Sequence, residues 1–235
     1  MKELLYNTAL ETGIHLNDTQ LEQFQIYYDL LIETNKVMNL TSITEERDVV
    51  IKHFIDSLAI KNYIDISGGR VIDVGTGAGF PGIPLAIIYS NTQFTLMDSL
   101  NKRINFLNSV LEKCKLHNIE TVHSRAEDLG HNNGYREKYD YCVSRAVAAM
   151  PVLLEYCIPF LKTGGKFISY KSEKAEEEIG LSANAQKKLG CKFDILFSFD
   201  LPGTDISRKF AVFQKIKITN KTYPRQAGKP KKNSL

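Results

Sequence analysis

The sequence predicts an α/β protein in which a helical N-terminal region precedes a mostly parallel, seven-stranded sheet with an antiparallel edge. Three observations predict it. Apolar residues recur at helical spacing over the first ~65 residues, short β-rich runs alternate with helical stretches after Gly69, and the last two strands have no helix between them. Alternating strands and helices form right-handed βαβ units, whose parallel strands are covered by helices on both faces.

Apolar residues three and four positions apart predict three helices before residue 67. The second is the clearest, because Asn17 or Asp18 can cap a run that extends from Leu21 to Ile32. The other two lie near Leu4–Leu10 and Val49–Leu58. We expect this helical region to pack on the domain that follows it.

The elements after Gly69 follow from the change in pattern. Five β-rich runs are predicted to be parallel strands: Arg70–Val74, Phe94–Asp98, Thr121–Ser124, Asp140–Ser144 and Lys166–Tyr170. The helical stretches between and after them are Pro81–Tyr89, Asn101–Lys115, Pro151–Leu161 and Glu173–Leu189. Two further runs, Phe193–Phe199 and Phe210–Lys217, should pair antiparallel at one edge of the sheet.

Composition excludes several classes of protein. With 43% hydrophobic and 24% charged residues, the chain is not mostly disordered. No apolar run approaches the ~20 residues that cross a membrane, and the N-terminus lacks the apolar stretch of a secretory signal. The four cysteines lie far apart, with no CxxC and no Cys/His cluster. This pattern argues against a metal site and predicts reduced thiols in a cytoplasmic protein.

The charge is unevenly distributed. Nine of the 30 basic residues lie from Arg208 onward, where there is no acidic residue, so residues 1–207 carry 21 basic and 27 acidic ones. We therefore divide the chain into a helical region (1–66), an α/β domain (67–218) and a basic C-terminal tail (219–235). The tail could contact a polyanion or could simply keep the protein in solution.

The strongest functional signal is the run from Val71 to Gly82, Val-Ile-Asp-Val-Gly-Thr-Gly-Ala-Gly-Phe-Pro-Gly. An apolar strand ends in an acid and leads into glycines that let a ligand approach the backbone. The G-x-G-x-x-G starting at Gly77 also fits the dinucleotide fingerprint. If the strand ends at Val74, however, Phe80 occupies the third glycine position, which disfavours a pyrophosphate. We therefore favour a Rossmann-like class I methyltransferase that uses S-adenosylmethionine, with a nicotinamide or flavin enzyme as the alternative.

Asp98 ends the second strand, 25 residues after Asp73, near the spacing of an acid that binds ribose hydroxyls. A carboxylate can accept two hydrogen bonds from a vicinal diol. Asp98 could instead cap the following helix, or do both. After the third strand, Glu127 and Asp128 could hold an adenine or could lie in a solvated turn.

Arg145 ends the fourth strand, at the edge of the sheet that faces the ligand crevice. A guanidinium there needs a carboxylate, a phosphate or a base edge as its partner. The alternative is a structural ion pair, for example with Asp73 or Asp140. The sequence has neither an Asn/Asp-Pro-Pro-aromatic run, which would orient an exocyclic amine, nor a Pro-Cys pair, which would attack a pyrimidine, and Cys142 is a buried strand residue by its pattern.

Several motifs together resemble the bacterial RsmG family, also known as glucose-inhibited division protein B. They cover nearly the whole chain in order: Asn39-Leu40-Thr41-Ser42-Ile43, His53-Phe54-x-Asp56-Ser57, the glycine run, Asp98-Ser99-Leu100-x-Lys102-Arg103, Arg125-Ala126-Glu127 and Ser144-Arg145-Ala146. The resemblance implies a cytoplasmic enzyme that uses S-adenosylmethionine to methylate N7 of one guanine, guanine 527, in 16S ribosomal RNA. Its substrate would be that RNA or the small ribosomal subunit.

The resemblance also implies a set of cofactor contacts: Gly75, Phe80, Ala126, Glu127 and Arg145. By their positions in the chain, Gly77, Gly79, Asp98 and Ser99 should line the same site. The catalytic residues expected are Arg145, Lys171 and His53, with Phe80, Arg145 and His53 shaping the pocket of the target base. Without the family match, a packed helical histidine is a simpler explanation of His53. The ending Tyr223-Pro224-Arg225-x-x-Gly228-x-Pro230 also resembles the family and would contact RNA.

Methylation of N7 removes no proton, since that nitrogen carries an in-plane lone pair. We therefore expect catalysis by positioning, without a general base. We also expect a monomer that binds neither a membrane nor a metal. Two rival hypotheses are a nicotinamide oxidoreductase with the same sheet and a ribosome-associated RNA-binding protein whose cofactor site is vestigial.

Overall fold

All seven strands that the sequence predicts are present in a computed structural model, which describes residues 1–235. In chain order they are β1 (Arg70–Val74), β2 (Gln93–Asp98), β3 (Ile119–His123), β4 (Tyr139–Arg145), β5 (Leu161–Lys171), β6 (Cys191–Asp200) and β7 (Ser207–Lys215). They form one sheet in the order β3-β2-β1-β4-β5-β7-β6.

The strand directions confirm a mostly parallel sheet with an antiparallel edge. β1 pairs in parallel with β2 and β4, while β7 lies between β5 and β6 and runs antiparallel to both. The carboxyl ends of β1, β2, β3 and β4 therefore meet at one edge of the sheet, where open α/β sheets bind their ligands.

The helices of the domain are α5 (Gly82–Ile88), α6 (Asn101–Cys114), α7 (Ala126–Leu129), α8 (Met150–Cys157), α9 (Ala175–Gly180), α10 (Ala183–Leu189) and α11 (Lys229–Lys232). The sequence did not predict the short helices α7 and α11, and two of the four helices that it did predict differ in the structure. The helix predicted over Pro151–Leu161 ends at Cys157, because Pro159 follows in a 3₁₀ turn, and β5 already begins at Leu161.

The second difference concerns the single helix predicted over Glu173–Leu189, which is two helices. The Ser182 hydroxyl donates to the carbonyl oxygen of Ile179, at 2.7 Å, at the junction that follows Gly180. A local side-chain hydrogen bond of this kind competes with a continuous helix, and glycine at the junction weakens the helix further.

The N-terminal region contains α1 (Lys2–Glu11), α2 (Asp18–Met38), α3 (Glu46–Val49) and α4 (Asp56–Leu58). Asn17 caps α2 as predicted, in a reciprocal capping box with Gln20, a feature worth about 1 kcal/mol. A π-helical segment, Val50–Ile55, joins α3 to α4 and carries Lys52 and His53. Such segments often occur at functional sites.

The core explains how the N-terminal region reaches the glycine run. Phe24 of α2 and Phe54 of the π segment are fully buried, with ring centroids 4.9 Å apart. Tyr27, also of α2, packs on Phe80 at 5.4 Å, and its hydroxyl donates to the carbonyl oxygen of Ala78 at 2.6 Å. The N-terminal helices therefore share one hydrophobic core with the sheet and hold the loop after β1.

Residues 219–235, which the sequence describes as a tail, lie against the domain. Thr219 and Pro230 are buried. Lys231 of α11 lines the same cavity as Val74 and Asp98 at the carboxyl ends of β1 and β2. Polar contacts hold this segment, so it has no apolar periodicity that a sequence pattern could detect. The division into regions at residues 66 and 218 stays a prediction. No helix of the protein is both long enough and apolar enough to cross a membrane.

Candidate active site

The carboxyl edge of the sheet opens into a first cavity of about 440 Å³. It is lined by the ends of β1, β2 and β4, by the β3–α7 turn, and by two residues of the C-terminal segment. The residues that line it include Gly75, Asp98, Ser99, Ala126, Glu127, Tyr156, Gly228 and Lys231. Its size is typical of a small-molecule or cofactor site.

The glycine loop begins where the sequence predicts. β1 ends at Val74, and Gly75 and Gly77 have φ angles of +75° and +63°, a region that other residues rarely adopt. The backbone N–H groups of Gly75 and Thr76 both donate to the carbonyl oxygen of Met97, each at 3.0 Å. A Cβ on Gly75 would lie 2.7 Å from Val147 Cγ2, so both the backbone and the space require glycine there.

Asp73 ties the two ends of this loop together. Its Oδ2 accepts hydrogen bonds from the Thr76 hydroxyl at 2.7 Å and from the Gly82 N–H at 2.9 Å, while Oδ1 has no partner. Complete burial raises the pKa of Asp73 to about 7, although both hydrogen bonds favour the charged form. Asp73 shapes the loop rather than lining either cavity.

Asp98 contacts both the glycine loop and the start of α6, so its position agrees with both sequence hypotheses, a residue of the cofactor site and a cap of the following helix. Its Oδ1 accepts from the Leu100 N–H at 2.9 Å, immediately before α6, and its Oδ2 accepts from the Gly77 N–H at 3.0 Å and pairs with Arg103 at 3.2 Å. The carboxylate is 3% exposed and lines the first cavity. It therefore fixes the glycine loop and the start of α6 while facing the place where a ribose would lie. Ser99 lines the same cavity.

Ala126 and Glu127 also line the first cavity, at the start of α7. Glu127 is buried, and its Oε1 accepts from the backbone N–H of Gly228 at 3.0 Å. Burial and the nearby Glu127 carboxylate raise the pKa of Tyr156 to about 12. The small Ala126 and the acidic Glu127 therefore stand together in the cavity, as the adenine hypothesis requires.

A second cavity of about 560 Å³ adjoins the first and shares Gly75, Arg103 and Ala146 with it. Five basic and two acidic side chains line it: Lys52, Arg103, Arg145, Lys171, Arg208, Asp56 and Glu178. Gly77, Phe80, His53 and Thr41 also line it. The glycine loop therefore separates two connected spaces, one beside Asp98 and Glu127 and the other surrounded by basic side chains.

Arg145 has an acidic partner that the sequence analysis did not consider. Its Nη1 donates to Oδ2 of Asp56 at 3.0 Å and to the carbonyl oxygen of Lys52 at 3.2 Å. Neither Asp73 nor Asp140 pairs with it, because Asp73 closes the glycine loop and Asp140 pairs with Lys162 at 2.6 Å. The guanidinium also lies 5.0 Å from the Phe80 ring centroid, within the range of a cation–π contact.

His53 is part of the same network. Arg145 can only donate, so its Nη2, 3.1 Å from Nδ1 of His53, fixes that nitrogen as the acceptor. The other nitrogen, Nε2, then donates to the Thr41 hydroxyl oxygen at 2.8 Å. Burial and the Arg145 charge lower the pKa of His53 to about 3, so the ring is neutral at physiological pH and both of its nitrogens are engaged.

Phe80 stacks on the His53 ring, with centroids 4.4 Å apart and planes inclined by 18°. Lys171 also reaches the second cavity, where its Nζ pairs with Glu178 at 2.6 Å and donates to the carbonyl oxygen of Ala148 at 2.9 Å. Gly77, Phe80 and Arg145, which were expected at the cofactor, line only this second cavity, and Gly79 lines neither cavity. A Cβ there would lie 2.6 Å from Ile83 Cδ1 and 2.9 Å from the Tyr27 hydroxyl, so packing explains this glycine.

Sequence reasoning missed several residues of the site. Asp56 and Thr41 lie within the motifs His53–Ser57 and Asn39–Ile43, but nothing in the pattern identifies them as partners of Arg145 and His53. Tyr156 and Arg208 had no signal beyond their type, and the approach of Gly228 to Glu127 depends on how the C-terminal segment folds back.

The first cavity fits S-adenosylmethionine on the chemistry of its donor set. It has a carboxylate for the ribose hydroxyls in Asp98, a small residue beside an acid for the adenine at Ala126 and Glu127, and glycine backbone at Gly75 for close approach. No group of three or more His, Cys, Asp or Glu side chains could hold a metal ion. The four cysteines are buried and unpaired.

Comparison with known proteins gives the same assignment. Residues 20–199 match the family model described as rRNA small subunit methyltransferase G. The ribosomal RNA small subunit methyltransferase G of Lachnoclostridium phytofermentans is 52% identical over 95% of this chain and 93% of its own length. That of Alkaliphilus oremlandii is 49% identical over 100% and 99%.

Solved structures agree with the fold. An S-adenosylmethionine-dependent methyltransferase from Aquifex aeolicus superposes with a TM-score of 0.58 and 16% identity, covering 76% of this chain and 97% of that one. TYW2 from M. jannaschii, solved in complex with S-adenosylmethionine, gives a TM-score of 0.56 and 17% identity, covering 74% of this chain and 80% of that one. The nicotinamide or flavin alternative for the glycine loop is therefore set aside. The chain belongs to the rRNA small subunit methyltransferase G family, and with it to the methyltransferases that use S-adenosylmethionine.

Proposed function

We propose that this enzyme transfers the methyl group of S-adenosylmethionine to N7 of a guanine in 16S ribosomal RNA, guanine 527 by its family resemblance. The observation that carries the proposal is that every histidine, aspartate and glutamate lining the second cavity is already engaged with a hydrogen-bonding or positively charged partner. Both nitrogens of His53 are engaged, and the carboxylates of Asp56 and Glu178 are paired with Arg145 and Lys171. Methylation of N7 needs no base, whereas methylation of an exocyclic amine releases a proton.

The cofactor would lie in the first cavity, with Asp98 at the ribose, Ser99 beside it, and Ala126 and Glu127 at the adenine. When bound, it supplies a methyl group on a positively charged sulfur. The glycine loop would bring that group to the boundary between the two cavities, at Gly75 and Gly77. The protein then contributes orientation, which can account for a large part of the acceleration in a reaction between two held groups.

The target guanine would lie in the second cavity. A base extruded from its RNA helix or loop is typically stacked on an aromatic ring or a guanidinium plane. Arg145 offers the guanidinium, while Phe80, buried and stacked on His53, supports that guanidinium from behind. Arg145 is held by Asp56, the Lys52 carbonyl and His53, so it enters the reaction in one orientation. We assign Arg145 to the base and His53 to the positioning of Arg145. Lys171, through its ion pair with Glu178, would help to shape the wall of the second cavity.

RNA binding is supported by the charge around this cavity, where basic side chains outnumber acidic ones by five to two. Phosphate contacts position a nucleic acid and make binding dependent on salt. Because the substrate is ribosomal, the proposal includes a cytoplasmic location. We also predict that the enzyme is a monomer.

The product of the reaction identifies the target atom. A guanine methylated on N7 becomes a site of strand cleavage after borohydride reduction and aniline treatment, and primer extension then maps the break. We expect one break, at guanine 527, after small subunits or 16S rRNA are incubated with enzyme and S-adenosylmethionine. An RNA with adenine at that position is the matched control. Transfer of labelled methyl groups without a break would contradict the proposal.

A further inference from the structure

The C-terminal segment, residues 219–232, is fastened to the domain along its length. The Thr219 hydroxyl donates to the carbonyl oxygen of Leu189 at 2.7 Å, and the ring of His131 lies 2.7 Å from the carbonyl oxygen of Pro224. The Arg136 guanidinium donates to the carbonyl oxygens of Thr219 and Tyr223 at 2.7 and 2.8 Å. These contacts satisfy the backbone of the segment without any regular pairing.

Its strongest attachment is the ion pair between Arg225 and Glu155. The guanidinium donates to both carboxylate oxygens of Glu155, from Nη2 at 2.7 Å and from Nε at 2.9 and 3.2 Å, and the Arg225 backbone N–H adds a bond of 2.7 Å. Glu155 is completely buried. A bidentate pair of this kind is geometrically specific, so Arg225 is committed to the domain and not available to an RNA phosphate.

Beyond this attachment the segment reaches the first cavity. Gly228 and Lys231 are two of the residues that line it. Gly228 has a φ of +84°, which turns its backbone N–H onto Oε1 of Glu127 at 3.0 Å. Tyr156, next to Glu155 on α8, lines the cavity as well. The residue that anchors the segment and the cavity wall are therefore adjacent on one helix.

We propose that residues 219–232 form a wall of the cofactor site, and that Gly228 positions the Glu127 carboxylate to accept a hydrogen bond from the amine of the adenine. Lys231 completes that wall. The segment thus supplies binding energy for the nucleoside cofactor, a role different from the RNA contact that its basic composition predicts. The inference rests on placing the cofactor in the first cavity.

In this arrangement the affinity for the cofactor and the docking equilibrium of the segment are energetically coupled. If the docked segment raises the affinity for the cofactor, bound cofactor must hold the segment in place by the same factor. The couplings usually found between two such equilibria correspond to factors of about 5 to 150. Both directions can be measured on the whole protein, without RNA.

The first experiment measures the affinity for S-adenosylhomocysteine by isothermal titration calorimetry. Arg225→Ala removes the anchor without touching the cavity lining, and we expect affinity to fall by about tenfold. Lys221→Ala is the matched control, because Lys221 is exposed on the same segment and loses the same charge; its affinity should stay within about twofold of wild type. Arg225→Ala with Glu155→Gln avoids a buried unpaired carboxylate and should show the same loss.

The second experiment uses the wild-type chain and follows tryptic cleavage after Arg225. Saturating S-adenosylhomocysteine should slow that cleavage several-fold. The proposal that residues 219–232 form part of the cofactor site is wrong if cleavage proceeds at the same rate with and without the nucleoside. It is also wrong if both Arg225 variants bind the nucleoside as the wild type does. If the wild-type protein does not bind the nucleoside, the placement of the cofactor in the first cavity is wrong. If the cofactor binds there but the enzyme methylates another atom, only the proposed function is wrong.

Discussion

Replacing Arg145 by alanine tests the buried network beside the second cavity. The change removes the donor to Asp56, whose side chain is 3% exposed and whose Oδ1 already has no partner. Arg208, with its Nε 3.4 Å from Asp56 Oδ2, is then the remaining charge beside that carboxylate. Nδ1 of His53 and the Lys52 carbonyl oxygen lose their donors as well.

The expected magnitude follows from these contacts. Leaving one member of a buried ion pair without its partner costs about 3–5 kcal/mol. Since Arg208 remains and Arg145 lies at a cavity, the lower end of that range applies, and we expect the free energy of unfolding to fall by about 3 kcal/mol. Asp56→Asn in the Arg145→Ala background removes the uncompensated charge and should recover most of this loss.

The assay pairs urea denaturation with the rate of methyl transfer to small subunits. In the double variant we expect near-normal stability together with a loss of activity of at least about 100-fold, because the guanidinium is proposed to contact the base. If the double variant regained activity along with stability, Arg145 would be a structural residue and its assignment to the base would be refuted. An Arg145→Ala chain as stable as wild type would refute the energetic reasoning.

Three further predictions concern single residues. Gly75→Ala should lower the affinity for S-adenosylhomocysteine by more than about tenfold in calorimetry, because its φ of +75° and the Val147 methyl 2.7 Å away both oppose a Cβ; unchanged affinity would contradict the loop geometry. Lys215→Met should reduce stability in urea by about 2–4 kcal/mol, since Lys215 is completely buried and its Nζ bonds to Glu137 at 2.7 Å; no loss would contradict it. The pKa of His53 is lowered to about 3 in the folded chain and is about 6.5 in the unfolded chain, so the free energy of unfolding should fall as the pH falls from about 6.5 toward 3. His53→Gln should flatten this dependence, and an NMR titration that places the pKa of His53 near 6.5 would contradict the prediction.

The fold was predictable because its signals are local and periodic. The apolar runs that become β1 and β2 are bounded by glycine, asparagine and aspartate, and the register of the glycine loop follows once β1 ends at Val74. The boundaries that shifted are those where a local competitor acts, such as Pro159 at the end of α8 and Ser182 between α9 and α10.

The sequence predicts which residues line the candidate site better than it predicts which side chains they are paired with. Gly75, Asp98 and Glu127 line the first cavity because strand ends converge in any sheet of this topology. The partner of Arg145 comes from the N-terminal region, 89 positions away in the chain. No spacing rule within the sheet points to Asp56, since the contact depends on how the π segment and α4 pack.

The C-terminal segment shows a different limit. Its basic composition predicts a polyanion partner, yet Arg225 is bound to a buried carboxylate on α8 and the Gly228 N–H to Glu127. Composition describes the charge of a segment and not the direction in which its side chains point. Lys229, Lys231 and Lys232 are exposed, so an RNA contact through α11 stays a prediction.

The arrangement of two cavities joined at the glycine loop is tested most directly by a crystal structure with S-adenosylhomocysteine. We predict the adenosine in the first cavity, its ribose hydroxyls on Asp98 and its adenine beside Ala126 and Glu127, with the sulfur at Gly75 facing the second cavity. Adenosine bound against Phe80 and Arg145, or a sulfur that faces away from that space, would contradict the account.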